Sequence, residues 1–271
     1  MASSDYSLDP SDPRAPSEAQ WRAMSEAQRA RVLDSLPSDF PWATPPEGDR
    51  HRIPKAKALE ALDEYFRRIG RRVYLSSELP VYYPEERVFA PDLIAVLDVE
   101  CHERNSWVVS HEKRGIDLAL EVHVAGDAKK DAERNVERFA RLGIPEYFMF
   151  EPLRGRITGY RLRAGESAYA PIIPQHGRWP SSVLQLDLSV EGGRVRFYHG
   201  SAPLPDAREL IERLSTLVDD AVDRAEEEAR RAEEEARRAE EEARRAEEEA
   251  RRADRLANKL KELGVDPDDL D

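Results

Sequence analysis

The sequence predicts an α/β protein in which a mixed β-sheet is flanked by helices and is followed by one long C-terminal α-helix. Three observations predict this fold. Apolar and polar residues alternate in several segments between residues 71 and 200, as in half-buried strands. Apolar residues spaced three and four apart mark helices before and between these segments. The heptapeptide AEEEARR occurs four times between Ala225 and Arg252, which is typical of a long helix or a coiled coil.

The first part of the folded region is expected to be helical. Ser17 and Gln20 have the spacing of a capping box, which predicts a helix from there to about Leu36. A Pro-rich loop, 37–52, is expected to follow. A second helix is predicted from about Pro54 to Gly70. The residues expected on its apolar face are Leu59, Leu62, Tyr65, Phe66 and Ile69.

The sheet is predicted from residue 71 onward, in segments rich in β-branched and aromatic residues. The expected strand segments are 71–83, 87–99, 117–125, 146–152, 156–162, 169–174 and 194–200. Residues 129–143 are expected to form a crossover helix that Gly143 and Pro145 stop. The chain is therefore expected to consist of a disordered N-terminus (1–16), a folded domain (17–200), a long helix or coiled coil (206–263) and a short tail (264–271).

The composition limits the classes of function. The net charge is −13, of which the repeat block contributes −4 through 12 Glu and 8 Arg. A protein that coats nucleic acid non-specifically is normally basic, so this class is excluded and any contact with DNA must be local and helped by a cation. The single cysteine, Cys101, excludes an internal disulfide and a Cys-rich zinc site.

The sequence also predicts a cytoplasmic location without a membrane segment. A chain with one cysteine suits a reducing compartment. No apolar run approaches the ~18 residues that a transmembrane helix needs. The N-terminus lacks the basic start and apolar core of a signal peptide.

The C-terminal segment has an apolar seam with heptad spacing from Leu210 to about Leu263. In the repeats the seam consists of alanine, which buries little area, and Glu–Arg pairs at i and i+4 stabilise an isolated helix by ~0.2–0.5 kcal/mol each. Two interpretations remain open. The segment self-associates as a coiled coil, giving a homodimer or higher oligomer, or it is a single solvated helix.

Two acidic residues stand at the places in the predicted sheet where chemistry is expected. Asp92 follows Pro91 at the start of the apolar segment LIAVL, and Glu121 lies inside the next strong strand. His123 is two residues further on and so is expected on the same face of that strand. A buried carboxylate is unfavourable unless it is paired or bound to metal. Two adjacent strands presenting carboxylates to one point would form a site of the Mg²⁺ type.

These residues carry a resemblance to a known family. PDLIAV, LALEVHV and KKDAERNVERFARLGIPEYFMFEP follow one another in an order similar to that of the Uma-two family of restriction-endonuclease-like proteins, within the PD-(D/E)xK nuclease superfamily. FARLGIPEYF, residues 139–148, resembles the family segment YAxxGVxEYW and is the most specific part. The similarity covers roughly residues 40–165.

The resemblance implies a restriction-endonuclease-like sheet, DNA as the substrate, and Mg²⁺ or Mn²⁺ as the ion held by Asp92 and Glu121. It also implies a lysine that positions water or stabilises the phosphate. An additional acid often comes from the first core helix, where Glu60 and Glu64 are candidates.

Two positions depart from the family pattern. The superfamily expects lysine two residues after Glu121, where this chain has His123, and many family members carry it at the position of Asn135. Lys129 and Lys130 are close in sequence and are candidates to replace it, although a solvated lysine pair is the alternative. His123 is either a ligand or base, or a structural residue.

Two basic clusters are candidates for phosphate contacts, although charged runs on helices usually just face water. The residues singled out are Arg67, Arg68, Arg134 and Arg138. Two functions are then consistent with the sequence. The first is a Mg²⁺-dependent endodeoxyribonuclease that dimerises through its coiled coil. The second is a nuclease-like protein that has lost its chemistry with its lysine and acts as a binding or assembly module.

Overall fold

The computed structural model describes residues 6–38, 48–124 and 128–262, and for 128–132, 207–208 and 262 the backbone alone. The helices are α1 Glu18–Ala23, α2 Glu26–Ser35, α3 Asp49–Ile69, α4 Val109–Glu112, α5 Ala128–Arg141 and α6 Ala207–Glu262. The strands are β1 Val73–Ser76, β2 Val81–Tyr82, β3 Leu93–Leu97, β4 Trp107–Val108, β5 Leu118–Val122, β6 Glu146–Glu151, β7 Arg156–Leu162, β8 Tyr169–Pro171, β9 Trp179–Ser181, β10 Leu186–Glu191, β11 Arg194–His199 and β12 Ala202–Pro203.

The N-terminal helical region begins at the predicted capping box. The Ser17 side chain accepts from the Gln20 backbone N–H at 3.2 Å, and the Gln20 side chain accepts from that of Ser17 at 3.0 Å. The single helix expected here is two helices, because Ser25 has extended backbone and forms a second capping box with Gln28. A serine N-cap satisfies backbone donors that the helix itself cannot, so it starts a new helix.

The segment before α1 differs from the disorder expected for residues 1–16. Arg14 and Ala15 form bridges to Arg87 and Pro84, and Ala15 is buried. Ala15 packs in a small core with Trp21 of α1 and the residues around it, and this apolar burial orders the segment. Residues 1–5 and the predicted tail, 264–271, lie outside the described residues.

The main sheet is mixed, as predicted, with six strands in the order β1-β3-β5-β6-β7-β8. Strands β5 and β6 are parallel and α5 connects them, while every other neighbouring pair in this sheet is antiparallel. A parallel pair needs a crossover connection, and the helix in that crossover covers one face of the sheet.

Each face of the main sheet has its own core. On one face, Leu93 and Leu120 of the sheet pack with Leu62 of α3. On the other face, Ile94 and Ala119 belong to a core that includes Phe139 of α5. Helices on both faces bury the strands on both sides, which explains their nearly continuous apolar sequences.

A second, antiparallel sheet in the order β12-β11-β10-β9 joins the core on the α3 side. Its strands β9 and β10 were not among the predicted segments. On α3, Ile69 was expected on the apolar face but is 50% exposed, because the helix ends there and Gly70 takes a left-handed conformation with a φ of 69°. A left-handed glycine is a common helix stop.

The chain divides into two units after Ala207, and α6 is the second. This helix has 56 residues, close to the predicted segment 206–263, and a length of about 84 Å at 1.5 Å per residue. Its most exposed large apolar residues are concentrated in the first turns, at Ile211, Leu214, Leu217, Val218 and Val222. None of the helices in the described ranges is long and apolar enough to cross a membrane.

Candidate active site

Asp92 and Glu121 face each other across neighbouring strands. The antiparallel register pairs Leu93 with Leu120, so the next pair along is Asp92 opposite Glu121. Directly opposed residues share one face of the sheet, with Cβ atoms about 4.5–5.5 Å apart. The sheet therefore brings together the two acids that the sequence singled out.

A hydrogen bond fixes Asp92 in this acidic pair. Asp92 Oδ2 accepts from the backbone N–H of Val122 at 2.7 Å. The Asp92 side chain also acts directly on the Glu121 carboxyl and raises its pKa. Asp92 is 7% exposed. Two neighbouring carboxyl groups repel each other when both are ionised, which favours a proton on one of them.

The electrostatics agree with this arrangement. Burial is the largest cause that raises the pKa of Glu121 well above its usual range, and the neighbouring Asp92 raises it further. The ammonium of Lys55 acts in the opposite direction. Like charges in a desolvated site cannot both ionise easily, so without a cation the pair retains a proton.

Helix α3 contributes two residues at its N-terminal end. His51 Nε2 lies 3.1 Å from Asp92 Oδ2, and Lys55, one turn further along, is 5% exposed. Residues four apart lie on the same side of a helix. Both therefore reach the acidic pair from one face of α3.

A tight turn after β1 supports this end of the site. Lys55 forms an ion pair with Glu78, whose backbone is left-handed at a φ of 54°. The backbone N–H of Glu78 donates to the carbonyl of Pro91 at 3.0 Å, and Ser77 Oγ donates to that of Asp92 at 2.9 Å. These contacts tie the partner of Lys55 to the chain segment that carries Asp92.

Tyr147 of β6 lies on the same face of the sheet as the acidic pair. Burial raises the pKa of Tyr147 well above its usual range, and the charge of Glu121 adds to this effect. Asn135 of α5 acts in the opposite direction and lowers this pKa. The position where many family members have lysine thus holds an amide near a buried tyrosine.

Helix α3 does not bring the expected additional acid, Glu60 or Glu64, to the site. Glu60 is paired with Lys57 at 3.2 Å, and Glu64 is paired with Arg67. At about 100° per residue, Glu60 lies about 180° around the helix from His51. The helix contributes His51 and Lys55 instead of an acid.

Arg67 and Arg68 are also far from the pair, because they are exposed in the last turn of α3. Sixteen residues separate Arg67 from His51, which corresponds to about 24 Å along the helix. The structure therefore does not bring these two phosphate-contact candidates to the site.

The remaining sequence candidates lie around β5 and α5. His123 comes directly after β5, is partly buried, and its backbone N–H donates to Phe150 O at 2.8 Å. Lys129 and Lys130 are in the first turn of α5, and their side chains lie outside the described residues. Arg134 is exposed, whereas Arg138 is partly buried and is ion-paired with Glu86 at 3.1 Å.

The donor set fits a hard divalent cation. Mg²⁺ commonly takes one or two carboxylates and completes its shell with water and substrate phosphate oxygens. Asp92 and Glu121 supply such a pair, and a cation between them would replace a proton on either acid. In the ranges that the structure describes, no three His, Cys, Asp or Glu side chains are grouped as metal ligands, so a site closed by protein ligands alone is not formed there.

Sequence reasoning missed His51 and Lys55. The apolar periodicity predicts a helix only from about Pro54. The helix begins five residues earlier, at Asp49, and this extra turn carries His51. A His-x-x-x-Lys spacing in front of an apolar helix face was the available signal.

Comparison with known proteins agrees with the resemblance seen in the sequence. Among solved structures, the chain is similar to one described as a "putative nuclease" from Anabaena variabilis, at 10% identity and a TM-score of 0.43, with 63% of this chain and 92% of that chain covered. No match to a curated protein was found. The Uma2 (Uma-two) family, described as "Putative restriction endonuclease", matches residues 36–191. This match spans more than half of the 271 residues, so the chain belongs to the Uma2 family.

Proposed function

We propose that this protein is a metal-dependent endonuclease that hydrolyses phosphodiester bonds in DNA, with Asp92 and Glu121 holding Mg²⁺ or Mn²⁺. The observation that carries the proposal is the buried carboxylate pair, opposed across β3 and β5 in a chain of a nuclease family. A buried ionisable pair with a raised pKa is a common mark of a functional site.

The residues of the chain have distinct tasks in this proposal. Asp92 and Glu121 present oxygen ligands from two rigid strands, and His51 holds the Asp92 carboxylate from the side of α3. When bound, the ion lowers the pKa of a coordinated water and offsets negative charge on the phosphate. Asp92 and Glu121 would hold the ion as ionised carboxylates, so a proton on either acid would be released to solvent on binding.

The family pattern expects a lysine at position 123 or 135, where this chain has His123 and Asn135. In this proposal Lys55 replaces that lysine. Its ammonium is buried, is held by Glu78, and acts electrostatically on Glu121. A fixed positive charge in a desolvated site stabilises the negative charge that develops on a phosphate in the transition state. Helix α3 thus supplies the cation that neither β5 nor Asn135 of α5 supplies.

A plasmid-cleavage assay tests the proposal. Wild-type protein is expected to cut in Mg²⁺ or Mn²⁺ and not in a chelator, and Glu121→Ala is expected to abolish cutting. Absence of cleavage by the wild type with either ion contradicts the proposed function. Cleavage that persists in Glu121→Ala contradicts the assigned site.

The part played by Lys55 has a matched control on the same helix. Lys55→Met, which keeps the apolar stem, is expected to lower the cleavage rate by about 100-fold, the usual effect of removing one stabilising donor from an active site. Lys57→Met removes an exposed lysine that is paired with Glu60, and the rate is expected to remain within about twofold. Equal losses in the two variants contradict a specific part for Lys55.

A second function is favoured by one observation. The described residues contain no group of three metal-ligating side chains, and lysine is missing from both expected positions. These features suit a nuclease-like protein that has lost its chemistry and works as a binding or assembly module. Tight Mg²⁺-independent binding of DNA, without cleavage under any metal condition, would support this second function.

We further propose that the protein self-associates through residues 206–263 as a homodimer or higher oligomer. The apolar side chains exposed between Ile211 and Val222 are those that a partner helix would bury, at about 1.5–3 kcal/mol per side chain. Sedimentation of the full chain is expected to give a multiple of the monomer mass, and Leu214→Asn with Leu217→Asn to give the monomer. Replacing Glu234 and Glu241, which lie outside the alanine seam, by Asn is the matched control and is expected to leave the mass unchanged. A monomeric wild type contradicts self-association.

A further inference from the structure

A wide groove runs between α5 and the chain segment that leads into β3. Its volume is about 940 Å³, and residues 86–90 form one wall while α5 forms the other. Its basic lining consists of Arg14, Arg87, Arg134, Arg138 and Arg141.

The charge of this groove is opposite to that of the whole protein. Five arginines line it together with two acidic residues, Glu86 and Glu137, and Asp12 contacts Arg14 and Arg87, whereas the chain as a whole has a net charge of −13. An arginine cluster can attract anions even in an acidic protein. At moderate salt, the acidic residues about 10 Å or more away are largely screened and do not cancel its charge.

Arg138 is held in place by contacts with the opposite wall of the groove. Arg138 lies over the ring of Phe89 at 4.6 Å, is ion-paired with Glu86 at 3.1 Å, and donates to the carbonyl of Arg87. Burial lowers the pKa of Arg138. Arg138 is therefore part of the groove wall rather than a freely moving surface charge.

Arg141 keeps donors available to a ligand. Its side chain contacts Glu86 at 2.8 Å, yet is 66% exposed. Arg14 and Arg87 are about half exposed, at 47% and 50%, and both contact Asp12. A guanidinium has five N–H donors, so the contact of Arg141 with Glu86 leaves donors that can bind phosphate oxygens.

The groove opens next to the acidic pair. Ala90 lines it and precedes Asp92 by two residues, which limits the distance between their Cα atoms to about 7 Å. On the opposite wall, Asn135 of α5 lines the groove. An extended anion bound in the groove would therefore end beside Asp92 and Glu121.

We propose that this arginine groove binds the sugar-phosphate backbone of a nucleic acid strand and aligns it with the acidic pair. The inference rests on the proposed function and names the surface that makes nucleic acid binding possible in an acidic protein. Repeated arginines along a groove match repeated phosphates, and arginine binds phosphate through paired N–H donors. The chemistry recognised is the phosphate backbone, so the groove reads charge and spacing rather than base sequence.

Binding measured apart from cleavage tests the groove. The probe is a fluorescein-labelled DNA duplex, titrated with protein by fluorescence anisotropy in a chelator over a series of salt concentrations. The groove variant is Arg134→Gln with Arg141→Gln, which leaves the wall residue Arg138 intact. The control is Arg67→Gln with Arg68→Gln, which changes the net charge equally at the far end of α3.

The groove variant is expected to weaken binding by at least about tenfold and to lower the slope of log affinity against log salt by about 2. The control is expected to stay within about twofold of wild type. Circular-dichroism melting of each variant identifies any that fail to fold, and Arg87→Gln then replaces the groove variant. Equal weakening in groove variant and control overturns the proposal, as does tighter binding of a poly-glutamate peptide than of DNA.

The groove inference and the nuclease proposal can be contradicted independently of each other. If the wild type never cuts but the groove variant alone loses DNA binding, the groove inference stands and the nuclease proposal falls. If the wild type cuts but the groove variant binds DNA normally, the groove inference falls and the nuclease proposal stands.

Discussion

The two ends of the parallel β5–β6 pair each hold a glutamate that is buried or partly buried, and the surroundings of the two glutamates are opposite. The register pairs Leu118 with Glu146 at one end and Glu121 with Met149 at the other. Glu146 is 1% exposed, and the Glu121 carboxyl is also desolvated. Residue type and position in the strand pair are thus similar, although Glu121 is only partly buried.

The partners of the two glutamates differ. Glu146 accepts from Arg161 Nε at 2.8 Å, from the hydroxyl of Ser181 and from the backbone N–H of Ser182 at 2.8 Å. Donors therefore surround its negative charge, and it ties the main sheet to the segment after β9. Glu121 instead faces a second carboxylate, Asp92.

This difference separates a structural acid, Glu146, from the acid that we propose as a metal ligand, Glu121. A buried carboxylate whose oxygens are all hydrogen-bonded to donors holds the fold together and has little capacity for another cation. A buried carboxylate opposite another carboxylate destabilises the metal-free protein and attracts a cation. Replacing an acid of the first kind is expected to lower the free energy of unfolding, and replacing an acid of the second kind is expected to raise it. The sign of this change therefore distinguishes the two cases.

The largest expected effect is at the Glu146 end. Glu146→Ala is expected to lower the free energy of unfolding by about 3 kcal/mol, because Arg161 and the donors at Ser181 and Ser182 lose their acceptor. Urea denaturation measures this loss. Glu166→Ala, which removes an exposed acid 3.9 Å from Arg163, is the control and is expected to change stability by less than about 0.5 kcal/mol. Similar values for the two variants would remove the structural part assigned to Glu146.

The effect expected at the Glu121 end is smaller and has the opposite sign. The native pKa of Glu121 is raised above its ordinary value of 4.5, so the stability that its proton provides is complete below pH 4.5. That stability is lost as pH rises through the native pKa, because the unfolded chain then binds fewer protons than the native one. Glu121→Gln stays neutral, so in a chelator it is expected to become more stable than wild type as pH rises.

Urea denaturation of both proteins, in a chelator from about pH 5 to pH 8, measures this difference. Comparing variant with wild type removes the contribution of the other titrating groups, which the two proteins share. Addition of Mg²⁺ is expected to stabilise the wild type and to leave Glu121→Gln nearly unchanged. Parallel stability curves for the two proteins at all pH values would show that the acidic pair does not store a proton.

The fold was predictable where local pattern and burial agree. The strands around Asp92 and Glu121 alternate or are continuously apolar, and the capping box at Ser17 fixed the start of α1. The start of α3 was mispredicted, because Pro54 has a stronger local preference for the first turn than Asp49. Tertiary packing decides such boundaries, and the local sequence does not reveal that packing.

The site was predictable only in its acids. Asp92 and Glu121 could be singled out because acids inside apolar strands are unusual. By that criterion alone Glu146 is an equal candidate, and only the donors around it distinguish it. For Lys55 the sequence offers only its spacing from His51, because lysine is rarely buried and its pairing with Glu78 is a contact between distant parts of the chain.

The smallest expected effect is at an acid with no burial at all. Glu227 in α6 is exposed and lies 2.5 Å from Arg231 one turn away. Glu227→Gln is expected to change helix stability by at most about 0.5 kcal/mol, which corresponds to about a twofold change in amide exchange. Hydrogen exchange of the full chain, read by mass spectrometry over 227–235, measures it.

Salt concentration separates this surface pair from the two buried glutamates. At about 1 M salt the Debye length is about 3 Å, so the difference between Glu227→Gln and wild type is expected to disappear. The changes at Glu146 and Glu121 are expected to persist, because buried charges are screened much less. A tenfold change in exchange that survives high salt would mean that Glu227 is covered by another helix. Burial would then determine the effect of Glu227 in α6, as it does for the glutamates of the sheet.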